Sequence, residues 1–218
     1  SLINFISGTS FVKALTENRF LIPSFIFIIL LSNFVGSYII YNKHLKGAIY
    51  MIGDMQNWRP NVAGIIEHAR SMHPNTEVVS RLVSGEIHKT NYEEVCIRSR
   101  KLASALEKDG IKKGDVVATL ALNTYRHLEM YYGISGMGAI THTLNFRLHP
   151  EQAVYIINHA EDKMIFVELP FVPILEGLQD NLSTVEKYVV LCNEDEMPET
   201  SLKNALSYEE YIKNGDEN

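Results

Sequence analysis

The sequence contains few cysteines. Cys96 and Cys192 are the only two in 218 residues, and they lie far apart, without the dense spacing of small secreted domains that disulfides stabilise. We expect Cys96 to lie in a helix and Cys192 at the end of a strand, both buried as small hydrophobic residues rather than bridged or nucleophilic. This cysteine usage fits a reducing compartment.

The sequence also lacks an excess of positive charge. The formal net charge is −6 at pH 7, and only the first fifty residues, taken as a block, are basic. Because binding to a phosphate backbone requires a basic surface, nucleic acid is not expected as a partner. With 46% hydrophobic and 21% charged residues, the composition is that of a folded protein with a sizeable core.

No histidine-based metal site is evident in the sequence. The eight histidines form neither a Cys/His cluster nor an H-x-x-x-H pair. A loop and a helix boundary separate His142 from His149. His127 and His159 are expected in helices, as surface or hydrogen-bonded residues. A metal site is therefore not predicted.

Paired acidic residues occur at three places, Glu93-Glu94, Glu161-Asp162 and Glu209-Glu210. All three pairs are predicted at helix ends or in loops, where helix capping and solvated charge explain them better than acid/base catalysis. No Ser/His/Asp arrangement can be singled out either. The residues alone therefore identify no catalytic, cofactor-binding or metal-binding side chain in this chain.

One long hydrophobic run is present near the start of the chain. Phe20 to Tyr41 comprises 22 residues without a charge; as a helix this run would extend about 33 Å, enough to cross the core of a bilayer. Residues 20–41 are therefore a candidate transmembrane helix within a hydrophobic N-terminal segment, residues 1–50. The basic residues Lys43 and Lys46 that follow the run favour a single-pass orientation with the C-terminal side in the cytoplasm.

A second interpretation of residues 1–50 stays open. Position 1 is Ser rather than Met, and Met51 begins a stretch with the composition of a cytosolic enzyme. Residues 1–50 would then be translated upstream sequence, or the end of a neighbouring membrane protein, rather than a native anchor. In both interpretations residues 51–218 are expected in the cytoplasm.

Residues 51–218 show alternating strand and helix patterns. Apolar residues at helical spacing predict a helix around residues 62–69, and a β-branched run interrupted by Ser84-Gly85 predicts a hairpin over residues 77–90. Asn91 and Glu94 have the spacing of a capping box. The segments that follow are predicted as strands over residues 115–122, 139–143, 163–167 and 187–191, and as helices over residues 125–137, from 150 onward, over 171–182 and near 207–212. Buried strands alternating with helices indicate an α/β fold with a mainly parallel sheet and helices on its faces.

Three closely spaced glycines, Gly133, Gly136 and Gly138, could suggest a dinucleotide-binding loop. Their spacing is the reverse of the Rossmann fingerprint, and they are expected where a helix ends and a strand begins, so that no helix N-terminus faces a phosphate. We therefore expect them to serve helix termination and close packing.

An ordered series of short motifs runs through residues 51–218. The motifs are Val79–Arg81, Tyr92–Glu94, Gly114–Leu120, Asn123–Glu129, Gly136–Ala139, Leu148–Gln152, Asn158–Asp162 and Ser207–Glu210. This series resembles the N-terminal region of bacterial medium/long-chain fatty-acyl-CoA synthetases, members of the AMP-binding, adenylate-forming ligase family, and the resemblance covers essentially all of residues 51–218. Phe146 departs from the family's usual Asn-Pro-Arg-Leu turn, which affects the turn rather than the chemistry.

The resemblance implies a reaction and its cofactors. Enzymes of this family use ATP and Mg²⁺ to convert a carboxylic acid, here a fatty acid, into an acyl-adenylate with release of pyrophosphate, and coenzyme A then displaces AMP. The family's phosphate loop, adenine and ribose motifs and C-terminal lysine would follow the element around residues 207–212, so no catalytic residue is transferred to this chain and none of these cofactors is expected to bind to it alone. Some long-chain members form a homodimer through this region, and self-association is a further expectation.

Two hypotheses follow for the chain. In the first, residues 51–218 are a partial N-terminal domain of a fatty-acyl-CoA ligase, inactive as given. In the second, the chain is a membrane-tethered, non-catalytic module that uses the same scaffold for binding or dimerisation. Truncation would expose sheet surface that the rest of a large domain normally covers, which favours the first hypothesis.

The hydrophobic run leads to a solubility prediction. Expressed residues 1–218 should need detergent to remain in solution, whereas residues 51–218 should not, because only the longer chain contains the run from Phe20 to Tyr41. Sedimentation with and without detergent measures the difference. Full solubility of both chains without detergent would contradict the prediction.

Overall fold

The computed structural model describes residues 61–217. The hydrophobic run from Phe20 to Tyr41 and the boundary between residues 50 and 51 lie outside this range. Within residues 61–217 no helix is long and apolar enough to cross a membrane. Six helices occur in this range: α1 Val62–Met72, α2 Tyr92–Lys108, α3 Tyr125–Gly136, α4 Pro150–Ala160, α5 Val172–Leu178 and α6 Tyr208–Lys213.

The described residues form a five-stranded sheet and a separate hairpin. In the sheet the strand order is β4-β3-β5-β6-β7 and all neighbouring strands are parallel. The hairpin pairs β1 with β2 in antiparallel register, so that Val79 lies opposite Lys89. The strands are β1 Glu77–Arg81, β2 Ile87–Asn91, β3 Val116–Leu120, β4 Ile140–Thr143, β5 Asp162–Val167, β6 Lys187–Val190 and β7 Ala205–Ser207.

Helices cover both faces of the parallel sheet because the crossovers from β3 to β4, β4 to β5 and β5 to β6 each contain a helix. Continuous apolar runs such as Ile165–Val167, all fully buried, suit a strand that contacts a helical layer on each side. On one face Val117, Phe166 and Val189 pack against α2, α3 and α6. On the other face, strand residues pack against α4 and α5. The α/β fold and the mainly parallel sheet predicted from the sequence are confirmed.

A smaller apolar cluster lies beside the main fold. Ile66 of α1 and Val95 and Cys96 of α2 are buried together, and the partly buried Val78 of the hairpin packs against them. Both Cys96 and Cys192 are free and buried, as the sequence predicted. Burial raises the pKa of each thiol to about 11, so both remain unreactive thiols at neutral pH.

The capping box predicted at the start of α2 is formed only in part. The Asn91 side chain accepts a hydrogen bond from the backbone N–H of Glu94 at 2.9 Å, as an N-cap does. The Glu94 carboxylate, however, accepts a hydrogen bond from the Thr90 hydroxyl at 2.7 Å. The cap is therefore confirmed, whereas Glu94 contacts β2 through Thr90.

Two segments differ from the sequence-based expectation. The helix predicted over residues 171–182 is divided into α5 with a 3-10 turn on each side, Leu169–Phe171 and Gln179–Asn181. Pro170 and Pro173 lie at the start of the first turn and of α5, because proline is tolerated in the first turn of a helix but not in its interior. The short strand β7 was not predicted.

Gly133 lies where α3 crosses α2. A Cβ atom added there would be 2.9 Å from both the Leu102 Cδ2 atom and the Ser99 backbone oxygen. Because the oxygen belongs to the backbone of α2, it cannot move aside as a flexible side chain could. The structural role expected for this glycine is confirmed, since it lets the two helices approach closely.

We predict that Gly133→Ala lowers the free energy of unfolding. The clash with α2 should cost about 1–3 kcal/mol, more than the gain of about 1 kcal/mol that alanine brings to a helix. Gly136→Ala is the matched control, because its Cβ would meet only the Ala63 Cβ at 3.7 Å, and it should be neutral or slightly stabilising. Urea denaturation measures both. A Gly133→Ala protein as stable as Gly136→Ala would contradict the prediction.

Candidate functional site

The connections around the sheet create a crevice between β3 and β5. After β3 the chain continues into α3 on one face of the sheet, whereas after β5 it continues into α5 on the opposite face. Because β3 and β5 are neighbours, their carboxyl ends diverge at this point. Open parallel sheets bind ligands in such crevices, and we therefore take the carboxyl edge of the sheet as the candidate site.

Polar groups meet in this crevice around Leu122. Its backbone N–H donates a hydrogen bond to the Glu168 carboxylate at 3.2 Å, and its carbonyl oxygen lies 3.1 Å from Nδ1 of His127. The other ring nitrogen of His127 lies 3.2 Å from the Thr119 hydroxyl. Burial raises the pKa of Glu168 and lowers the pKa of His127. Burial thus acts against the charged form of each group, and the two side chains stabilise the turn after β3 through these hydrogen bonds.

A buried ionic cluster lies on the face of the sheet that carries α2, α3 and α6. Arg98 of α2 donates from Nε to the Glu129 carboxylate of α3 at 2.8 Å. Its two terminal nitrogens each donate to the Glu209 carboxylate of α6 at 3.0 Å, a bidentate pair. The Tyr208 hydroxyl donates to the second oxygen of Glu129 at 2.9 Å. One guanidinium group thus joins three helices.

Arg126 connects this cluster to the edge of the sheet. It donates from Nε to Glu209 at 3.0 Å and from its terminal nitrogens to the Leu191 carbonyl at 3.4 Å and to the Asn193 side chain at 2.7 Å. Leu191 and Asn193 follow directly after β6. The guanidinium therefore fixes the start of α3 against the carboxyl end of a central strand.

Burial sets the ionisation of the cluster. Glu129 is completely buried, and the loss of hydration raises its pKa to about 7 despite the opposing effect of Arg98. Glu209 is also desolvated, but the bond from Arg98 and the charges of Arg98 and Arg126 outweigh this effect and lower its pKa. Burial acts to lower the pKa of Arg98, but the two carboxylates raise it. Arg98 therefore remains charged and Glu209 ionised at neutral pH, while Glu129 lies close to its titration point.

A cleft of about 190 Å³ opens above the cluster. On one of its walls the rings of His88 and Tyr125 stack, with centroids 3.8 Å apart. Burial and the charge of Arg126 lower the pKa of His88, which favours a neutral imidazole. The lining residues are His88, Thr90, Glu94, Arg98, Tyr125, Asn193 and Glu209.

The cleft is lined by polar side chains, most of which already contact one another. Arg98 makes three hydrogen bonds to carboxylates, so its charge is already neutralised. The lining carboxylates Glu94 and Glu209 would repel an anionic ligand. The side chains around the cleft therefore connect the hairpin with α2, α3 and α6. They do not offer the uncompensated positive charge that a phosphate group requires.

A second, partly buried pair connects the edge strand β4 with β5. Asp162 is completely buried, and its two oxygens lie 2.8 and 3.1 Å from Nδ1 of His142. Because β3 lies between β4 and β5, the two side chains meet across β3. Burial raises the pKa of Asp162 to about 6, against the opposing bond from His142. The pair stabilises the attachment of β4 to the sheet.

These contacts correct the sequence-based interpretation of the acidic pairs. Glu209 was expected to be a helix cap or solvated charge, yet it accepts hydrogen bonds from two arginines. Asp162 is the first residue of a buried strand and not a solvated loop residue. Glu161, as expected, ends a helix, in a left-handed conformation with φ of 57°.

Residue spacing contained a partial signal for the cluster. Arg98 lies between Val95 and Leu102 on the inward face of α2, and Glu129 precedes Met130 on the inward face of α3. A charged residue on an apolar helical face must find a buried partner. For a metal site, in contrast, no group of three or more His, Cys, Asp or Glu side chains comes together within residues 61–217.

We predict that Arg98→Met destabilises the protein far more than the loss of an exposed ion pair. At pH 8, above the pKa of about 7, Glu129 would lose its ionic partner in the interior, which should lower the free energy of unfolding by about 3–5 kcal/mol. The matched control is Lys89→Met, which removes the Lys89–Glu77 pair, with 61% and 53% of the two side chains exposed, and should cost less than about 1 kcal/mol. Urea denaturation of both variants gives the comparison, and equal losses would refute the role of the cluster.

The pKa of Glu129 generates a pH prediction. Since the folded protein binds this proton up to about pH 7 and the unfolded chain only up to about pH 4.5, the contribution of Glu129 to stability is complete below pH 4.5 and decreases as the pH rises to 7. Relative to Glu129→Gln, the protein should lose up to about 1.4 kcal/mol per pH unit across this window. Urea denaturation at a series of pH values measures the difference. A constant difference across the window would show that Arg98 keeps Glu129 ionised throughout.

The sequence is similar to curated CoA ligases. The medium-chain-fatty-acid–CoA ligase of Ectopseudomonas oleovorans is 40% identical over 168 residues, 77% of this chain and 31% of the relative. The long-chain-fatty-acid–CoA ligase of Thermus thermophilus is 43% identical over 152 residues, 70% of this chain and 27% of the relative. The 3-methylmercaptopropionyl-CoA ligase of Ruegeria pomeroyi is 39% identical over 166 residues, 76% of this chain and 31% of the relative. The chain thus spans about a third of the length of these proteins.

Solved structures and a family model agree with these relatives. An anthranilate CoA ligase in complex with anthranoyl-AMP superposes with a TM-score of 0.64 at 23% identity, over 72% of this chain and 29% of the ligase. A Mycobacterium tuberculosis fatty acyl CoA synthetase superposes with a TM-score of 0.60 at 20% identity, over the same shares of the two chains. These likenesses show the fold alone. The family model described as AMP-binding enzyme matches residues 66–216, and the chain therefore belongs to the AMP-binding enzyme family.

Proposed function

We propose that this chain is the N-terminal part of an ATP-dependent ligase that joins a fatty acid to coenzyme A through an acyl-adenylate. The observation that carries the proposal is the 40% identity to a medium-chain-fatty-acid–CoA ligase across 168 residues. A long-chain relative is similarly close. The chain spans about a third of these relatives, so the complete reaction belongs to a longer protein.

In this proposal the described residues contribute the scaffold rather than the reacting groups. Arg98 and Arg126, the arginines of the ionic cluster, are engaged by Glu129 and Glu209. A triphosphate would need uncompensated cations and free backbone N–H groups, whereas in this cleft Arg98 is paired and the carboxylates of Glu94 and Glu209 face the opening. The cleft therefore does not fit ATP or Mg²⁺ by itself, and we assign no step of the reaction to it.

The substrate class that we propose is inferred from the different acids on which the relatives act. The relatives are ligases of medium-chain fatty acids, long-chain fatty acids and 3-methylmercaptopropionate. All three are carboxylic acids with an extended, flexible chain. A fatty acid is the substrate class we propose.

The assay that tests the function uses the coding sequence continued beyond Asn218. The longer protein should catalyse ATP–pyrophosphate exchange that depends on octanoic, dodecanoic or hexadecanoic acid, because adenylation of the acid releases pyrophosphate. Residues 1–218 alone should give no exchange, since in this proposal the nucleotide site belongs to the rest of the longer protein. The ligase from Thermus thermophilus serves as the positive control.

Three outcomes would count against the proposal. Exchange by residues 1–218 alone would refute the scaffold role. A folded longer protein that is inactive with every acid would refute the ligase function. Activity with 3-methylmercaptopropionate and with none of the fatty acids would refute the substrate class and leave the reaction type intact.

A further inference from the structure

We draw no further inference here: the strongest candidate, the exposed apolar stripe that Val62, Ile65 and Met72 form along the outer face of α1, carries nothing because nothing in the part of the chain that the structure describes shows what covers it.

Discussion

The arrangement of the helices depends on one constraint, which is that every charged side chain buried away from water needs a partner of opposite charge. Arg98 and Arg126 face Glu129 and Glu209 in a region where hydration is largely lost. A charge buried without its partner costs several kcal/mol. The helices α2, α3 and α6 must therefore be in place together, because each contributes a member of the cluster. Apolar packing on the same face of the sheet supplies the main stabilisation, whereas the ion pairs specify which helix lies against which.

The same constraint links the helices to the carboxyl edge of the sheet. Arg126 contacts Glu209 on one side and the chain after β6 on the other. Glu168, after β5, accepts a hydrogen bond from the turn that follows β3. The turns after three neighbouring strands are thus positioned by buried side chains. Loops that hold a ligand gain precision when rigid elements determine their position, and this edge is the candidate site that the topology indicates.

The order of helices and strands could be predicted because local sequence determines it. The apolar run Val116–Leu120 and the cap at Asn91 are patterns within a few residues. Two features could not be predicted in this way. The strand β7 has three residues, too few to show a period. The bond between Arg98 and Glu209 joins residues 111 positions apart, so no spacing rule connects them.

Asp162 illustrates a further limit of sequence interpretation. Next to Glu161 it resembles a solvated pair at a helix end, and for Glu161 that interpretation is correct. A change from helix to strand between two adjacent residues places one carboxylate at the surface and the other in the interior. In the interior Asp162 finds a partner because His142 reaches across β3, and this contact is a property of the strand order. Strand order is set by tertiary packing, and a local pattern does not contain it.

The distribution of charge also distinguishes groups that could bind a ligand from groups that stabilise the fold. Groups that bind a nucleotide must keep unsatisfied donors and positive charge for the ligand, whereas groups that stabilise a fold must satisfy one another. In residues 61–217 the arginines of the cluster, Arg98 and Arg126, stabilise the fold. The carboxylates among the side chains that line the cleft beside them are Glu94 and Glu209. The relatives are about three times as long as the matched segment. Under the proposed function, the cations and backbone donors for ATP come from other segments of a longer protein, while the cluster arginines hold α2, α3 and α6 together.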